Sequence, residues 1–297
     1  MRSTSRARYL IVGVTLFLLG FSLAIFAAPV SIADDRGVVA VFDKPPQRIV
    51  SLLPSLTESV CALGKCSTLV GVDRFSNWPQ SIQGLPKLGG MGDINIERIV
   101  QLKPDVVLLE KASPVIARLN GLGIKTFSLD VKSMADEERA LQKLDLVLGT
   151  SESPRVWNQI QKEIMRAGKQ LSSGNKNIRV YFEVNPAPFA AGSTSFIGEI
   201  LTQLNLVNII PKSLGPFPKI NPEFVVQAKP DVILLTESTV ADIQKRPGWN
   251  SIPAVSKNQI CVFNGDQNDV LVRPGPRMGE AALIISQCVQ EKMSSSR

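Results

Sequence analysis

The chain has 297 residues, enough for two domains with a core in each. Hydrophobic residues make up 44% and charged residues 20%, a globular balance that excludes disorder. The net charge of +7 falls once three N-terminal arginines are set aside, leaving 30 basic against 26 acidic side chains. That excess, with no basic stripe and no aromatic–basic interleaving, does not argue for nucleic acid. The sequence has no histidine, which removes Ser-His-Asp and Cys-His catalysis and the commonest metal ligand. No CxxC or clustered acid spacing replaces it, so neither a metal nor a cofactor is expected.

In chain order, Arg2, Arg6 and Arg8 precede an apolar run from Tyr9 to Phe26, and Ser31-Ile32-Ala33 supplies a small-x-small pattern before Asp34. This predicts an export signal over residues 1–33, or an uncleaved anchor because the run is long. Residues 34–150 then alternate strand and helix. After a β-prone lead, "VVAVF", Arg48 to Leu52 reads as a strand and Pro54-Ser55 as a turn; Thr57 to Leu63 is a short helix ended by Gly64. "TLVGV" is a strand, "DRFSNWP" and "LGGMGD" are loops, and a helix starts at Asn95. "DVVLL" is a continuous apolar strand of the buried parallel type. A helix near Ala112–Leu122 and the strand "IKTFSL" follow, and Ser133 to Leu148 is helical with Gly149 as its cap. Residues 151–174 contain a long helix opened by Ser153-Pro154, with Trp157, Ile160, Ile164 and Leu171 at helical spacing. Residues 175–297 repeat the plan: strand "IRVYFEV", loop "NPAPFAAG", helix "STSFIGEILTQL", strand "LVNII", loop "LGPFPK", a helix at Asn221, strand "DVILL", strand "QICVFNG" and a closing helix from Gly279 to Gln290. The fold class is therefore α/β, with two lobes of mainly parallel sheet flanked by helices and joined by one long backbone helix.

The two lobes share text. "INIERIVQLKPDVVLL" (94–109) and "INPEFVVQAKPDVILL" (220–235) agree at 11 of 16 positions with a constant offset of 126. Leu88-Gly89 matches Leu214-Gly215, so the preceding loops correspond and Met91 takes the position of Phe217. Ligands of open α/β sheets sit outside strand ends where such loops gather, so paired loops predict a cleft between the lobes. Asn95 and Asn221 suit N-caps, and Glu97 and Glu223 fall at the second helical position. There an acid complements the helix dipole, and one exposed acid per lobe could also orient a basic partner.

Four cysteines in an exported chain favour disulfides, with three pairings open and buried free thiols as the alternative. Nearest-neighbour pairing within each lobe favours Cys61–Cys66 and Cys261–Cys288.

"RIVSLLPSLTE", "GVDRFSNWP", "INIERIVQLKPDVVLL", "GPFPKINPEFVV" and "RPGPR" resemble the periplasmic substrate-binding proteins of ABC importers that carry a single helical backbone, and most closely their cobalamin-binding branch. The resemblance runs from about residue 46 to 290. It implies a monomeric, non-enzymatic periplasmic receptor that holds a cobalamin-like corrinoid between its lobes. Delivery would be to an inner-membrane ABC permease, docked through Glu97 and Glu223. It places Phe75 and Trp78 on the first aromatic loop at the ligand, Phe189 and Phe217 on the second lobe, and Asp269 and Arg273 at polar ligand groups. Ser55 and Met91 complete the implied contacts. The chain departs from that branch in the small residues of "LGGMGD", in Val270, and in Leu204 where the relative has a cysteine, which leaves Cys261 as the partner of Cys288. Ferric siderophore or haem is the alternative ligand within the family. An exported hydrolase using Ser55 or Ser51 is the rival from another class, without a general base at any recognisable spacing.

Overall fold

The computed structural model describes residues 29–171, 177–185, 188–237, 240, 243 and 245–294. Residues 1–28, most of the segment read as an export signal, and residues 172–176, where the segment read as the linking helix (151–174) ends, lie outside the described residues. The first lobe is built on a parallel sheet in the order β4 (Leu69–Val72), β3 (Ile49–Ser51), β5 (Val106–Glu110), β6 (Thr126–Leu129). The second orders β11 (Ile260–Phe263), β10 (Val232–Thr236), β7 (Arg179–Asn185) and β8 (Phe189–Ala190), with β9 (Val207–Asn208) also on β7; only β8 runs antiparallel. Val106 to Leu109 and Val232 to Leu235 have no exposed surface, because helices cover both faces of each sheet.

The sequence repeat is a structural unit. Helix α2 (Ile96–Leu102) is capped by Asn95, whose Oδ1 accepts from Arg98 N at 2.8 Å; α7 (Pro222–Ala228) is capped by Asn221, accepting from Glu223 N at 3.0 Å. Both helices end on a left-handed lysine, Lys103 (φ 46°) and Lys229 (φ 48°). Both are followed by an aspartate that fastens the neighbouring strand. Asp105 accepts from Arg48 N at 2.8 Å and Asp231 from Arg179 N at 2.8 Å. The same arginines turn back onto the helix ends, Arg48 Nη2 to Leu102 O (2.6 Å) and Arg179 Nη2 to Ala228 O (2.8 Å), satisfying orphan carbonyls at the negative pole.

Helix α4 (Met134–Leu148) has a Ser133/Asp136 capping box and ends at Gly149, φ 64°. A Cβ on Gly149 would lie 2.6 Å from the Pro45 ring, so glycine is required for packing as well as for conformation. Helix α5 (Ser153–Leu171) then crosses between the lobes, about 28 Å at 1.5 Å per residue. The closing helix, Met278–Ser294, lies along it, with Ser286 Oγ donating to Ala167 O at 3.0 Å. The linking element is thus a packed helix pair.

Three readings of local structure change, and a strand lies at the end of the segment read as the leader. Helix α1 spans Pro54–Ala62, so Pro54-Ser55 is its first turn rather than a loop, with proline at a position where no N–H is needed. The strand read over "LVNII" shortens to Val207–Asn208, because the Asn208 side chain instead bonds Ala191 O and Ile210 N. A helix unseen in the sequence, Gly265–Val272, opens on an Asn264/Gln267 capping box. Val30–Ala33, read as the end of the leader, form β1 and pair antiparallel with β2 (Val39–Phe42).

Candidate functional site

The loop after β4 is fixed from below. Asp73 Oδ1 accepts from the backbone N–H groups of Phe75 (2.7 Å) and Ser76 (3.1 Å), and its Oδ2 accepts from Ser76 Oγ. Thr57 Oγ1 lies 2.9 Å from both Ser76 Oγ and Ser51 Oγ, which joins the loop to α1 and β3 through buried hydroxyls. Burial pushes the Asp73 carboxyl up, opposed by these hydrogen bonds and by Arg273. On this base stand two rings, Phe75 at 57% exposure and Trp78 at 49%. Two half-exposed aromatics on so restrained a loop serve contact with something outside the chain better than they serve the core.

The glycines of "LGGMGD" have a local reason. Gly89 has φ 93°, and a Cβ on Gly90 would fall 2.8 Å from Phe75 Cε2, so the small residues make room for that ring. Met91, beside them, is 74% exposed.

Across the gap, the second lobe answers with charge. Glu58, on α1 and 3% exposed, accepts from Arg277 Nε (2.8 Å), Arg277 Nη2 (2.7 Å) and Arg273 Nη1 (3.2 Å). Arg273 also donates to Asn77 Oδ1 (2.7 Å) and Phe75 O (3.0 Å) and pairs with Asp269 at 2.7 Å. Asn77 Nδ2 closes the ring by donating to Asp269 Oδ2 at 2.8 Å, and the Arg277 guanidinium stacks 5.3 Å from the Trp78 ring centre. Two acids and two arginines balance, so the cluster is internally neutral and ties lobe to lobe. Beside it opens a cleft of about 370 Å³ lined by Asn77, Trp78, Asp269, Arg277 and Glu280 among others.

The structure therefore brings together Phe75, Trp78, Asp269 and Arg273 from the sequence-derived set, with Met91 alongside. Ser55 sits in the same seam but is 4% exposed, against Gly275, and is not displayed to a ligand in this arrangement. Phe189 and Phe217 form a second group on the other lobe: Phe189 bridges Lys219, and the half-buried Phe217 packs on Phe196 at 6.2 Å between ring centres. A second inter-lobe junction lies near them, where Phe196 N donates to Lys132 O (2.7 Å) and Met134 N to Glu199 Oε2 (2.6 Å). Glu97 and Glu223 are exposed in the first turns of α2 and α7, and no side-chain hydrogen bond or ion pair holds either carboxylate among the described residues. Disulfides join Cys61 to Cys66 and Cys261 to Cys288. Among the described residues no cluster of acidic, cysteine or histidine side chains could hold a metal ion.

Sequence reasoning passed over Glu58, Asn77 and Asp73, although all three lie inside motifs it quoted. The partners of Glu58 and Asn77 lie 192 to 219 residues away, so nothing local marks those two; Asp73 bonds its own Phe75 and Ser76, a local turn signal that was there to be read.

Comparison with known proteins places this geometry. The family described as periplasmic binding protein matches residues 49–266. An uncharacterised ABC transporter substrate-binding lipoprotein, YvrC, of Bacillus subtilis is 28% identical over 274 residues, covering 88% of this chain and 85% of that protein. The vitamin B12-binding protein of Vibrio cholerae is 26% identical over 245 residues, covering 80% and 87%. Among solved structures, a possible iron-binding periplasmic protein of Staphylococcus epidermidis superposes with a TM-score of 0.72 at 23% identity, covering 83% of this chain and 99% of that one. A periplasmic heme-binding protein, RhuT, from Roseiflexus superposes with a TM-score of 0.70 at 24% identity, covering 83% and 98%. These proteins share the two-lobed fold with a connecting helix, and their family is one of extracytoplasmic substrate-binding transport proteins rather than of enzymes. Two α/β lobes on a helical backbone, with displayed rings at their junction, have the same explanation: the chain belongs to the periplasmic binding protein family of ABC import.

Proposed function

We propose that this protein is an exported receptor that holds a cobalamin-like corrinoid between its lobes and delivers it to an ABC permease. The observation that carries the reading is the pair of half-exposed rings, Phe75 and Trp78, on a hydroxyl-braced loop beside charges that neutralise one another. A corrin offers wide apolar faces and amide edges, which suit aromatic surface and polar rims better than free ionic charge. Met91 extends this surface on the first lobe, Phe189 and Phe217 add apolar surface from the second, and Asp269, Arg273 and Ser55 lie at the seam. The kinship with a vitamin B12-binding protein supports the same ligand.

Haem is the second reading. A structural neighbour is named as heme-binding, and Met91, the most exposed large apolar side chain among the described residues, offers a thioether that could reach an iron. An anionic ferric siderophore suits this site less, since Arg273 and Arg277 already face carboxylates. A hydrolase using Ser55 or Ser51 has little support, because both are buried and Ser51 Oγ already donates to Leu53 O.

Isothermal titration with cyanocobalamin, haem and a ferric siderophore tests the ligand. Saturable corrinoid binding that weakens on Phe75→Ala or Trp78→Ala is expected; binding of haem alone would replace the first reading by the second. In this proposal Glu97 and Glu223 dock the lobes on basic residues of the permease. The double variant Glu97→Ala/Glu223→Ala should keep its ligand affinity while uptake in cells falls, and undiminished uptake would remove the docking role.

A further inference from the structure

The first lobe is finished by a two-stranded ribbon in which Val30–Ala33 pair with Val39–Phe42, Val30 opposite Phe42 and Ala33 opposite Val39. Its inner face, Ile32, Ala40 and Phe42, is buried in the core, with Phe42 edge-on to Phe127 at 6.3 Å. The residues at its turn are fastened to the lobe as well. Lys143 Nζ on α4 donates to Ala33 O at 2.8 Å and pairs with Asp35 at 2.7 Å. Arg139 pairs with Asp35 at 3.0 Å, Asp35 N donates to Ser128 O at 2.9 Å, and Asp34 accepts from Val38 N at 3.0 Å. On sequence alone, however, Ser31-Ile32-Ala33 is the small-x-small pattern at which a leader would be removed. A cut after Ala33 would delete all four residues of β1, leave β2 without a partner and uncover the Phe42 side of the core.

We propose that export processing cuts the chain N-terminal to Val30, so that the mature protein keeps β1. Small residues are available there: Ser22-Leu23-Ala24 repeats the small-x-small spacing, and Ala27-Ala28 follow the apolar run. The inference rests on the export reading above.

The test is the intact mass of the full chain after expression with its own leader and recovery from the periplasm. A mature N-terminus between residues 25 and 30 is expected. A chain beginning at Asp34 overturns this inference and leaves export intact, whereas an uncut chain in the cytoplasm overturns export too. An uncut chain in the membrane fraction also overturns it, in favour of a retained anchor. In parallel, chains beginning at Val30 and at Asp34 are exported behind one heterologous leader. The Asp34 form should have a thermal midpoint lower by on the order of 5 °C. Equal midpoints would remove the structural reason for keeping β1.

Discussion

Glu58→Gln is the most informative single change. The wild-type carboxylate is nearly buried and is the acceptor for Arg277 Nε and Nη2 at 2.8 and 2.7 Å and for Arg273 Nη1 at 3.2 Å. Glutamine keeps the shape but removes the charge, and its amide N–H₂ points donors at donors. The two guanidiniums are only 10% and 15% exposed, so water cannot take over the lost role. Removing one partner from a buried ion pair costs roughly 3–5 kcal/mol. Here Arg273 retains Asp269, Asn77 and the Phe75 carbonyl, and Arg277 retains the Trp78 ring, so the lower end, about 3 kcal/mol, is expected. Urea unfolding of wild type and variant, with the slope checked for constancy, reads this directly. Because the cluster joins the lobes, amide exchange at Phe75 and Asn77 should also speed up. A change below about 0.5 kcal/mol, the size of an ordinary surface substitution, would show that the cluster does not bind the lobes together.

Glu137, 1% exposed on α4 behind Glu58, has its pKa pushed up to about 8 by burial, with the nearby Glu58 charge adding to the rise and a Ser59 hydroxyl opposing it. An acid whose folded pKa exceeds its ordinary 4.5 holds its proton in the native state, so its own contribution to stability is fully present below pH 4.5 and is lost as pH rises through about 8. Glu137→Gln should flatten that decline in urea titrations between pH 5 and about 8; an unchanged pH profile would assign it elsewhere. Gly90→Ala should displace the Phe75 ring, whose Cε2 would lie 2.8 Å from the new methyl, and weaken ligand binding while leaving the unfolding midpoint nearly unchanged. Equal affinity would remove Phe75 from the ligand surface. Replacing Cys261 and Cys288 by serine opens a bridge spanning 27 residues and should cost about 3–4 kcal/mol by calorimetry, against about 2 kcal/mol for Cys61 and Cys66, which are five apart.

What could be read from the sequence was what is local or duplicated. The strands "DVVLL" and "DVILL" announced themselves because burial on both faces leaves no polar alternation, and the Asn caps because one side chain serves one nearby N–H. Helix Gly265–Val272 was illegible because Gly265, Asp266, Gln267, Asn268 and Asp269 show no apolar period; only its capping box marks it. Pro54 misled for the opposite reason, since proline both breaks helices and starts them. The Glu58 cluster lay beyond reach, because a single sequence does not say which acid meets which arginine more than 200 residues away.

The duplication itself sorts scaffold from site. Where the lobes agree, the residues perform one structural task twice: Arg48 with Asp105 and Arg179 with Asp231 fasten strand to helix end, and Gly89 (φ 93°) and Gly215 (φ 81°) turn equivalent loops. Where they differ, the residues converge on the junction. Met91 stands exposed where its counterpart Phe217 is folded onto Phe196, and the rings of Phe75 and Trp78 come from the first lobe while the arginines come from the second. A symmetric pair of lobes would offer the same surface from both sides; this pair instead meets in a cluster to which the first lobe gives Glu58, Asn77 and Trp78 and the second Asp269, Arg273 and Arg277. In the proposed receptor that asymmetry would hold a flat guest in one orientation, as delivery to a permease the same way each time requires.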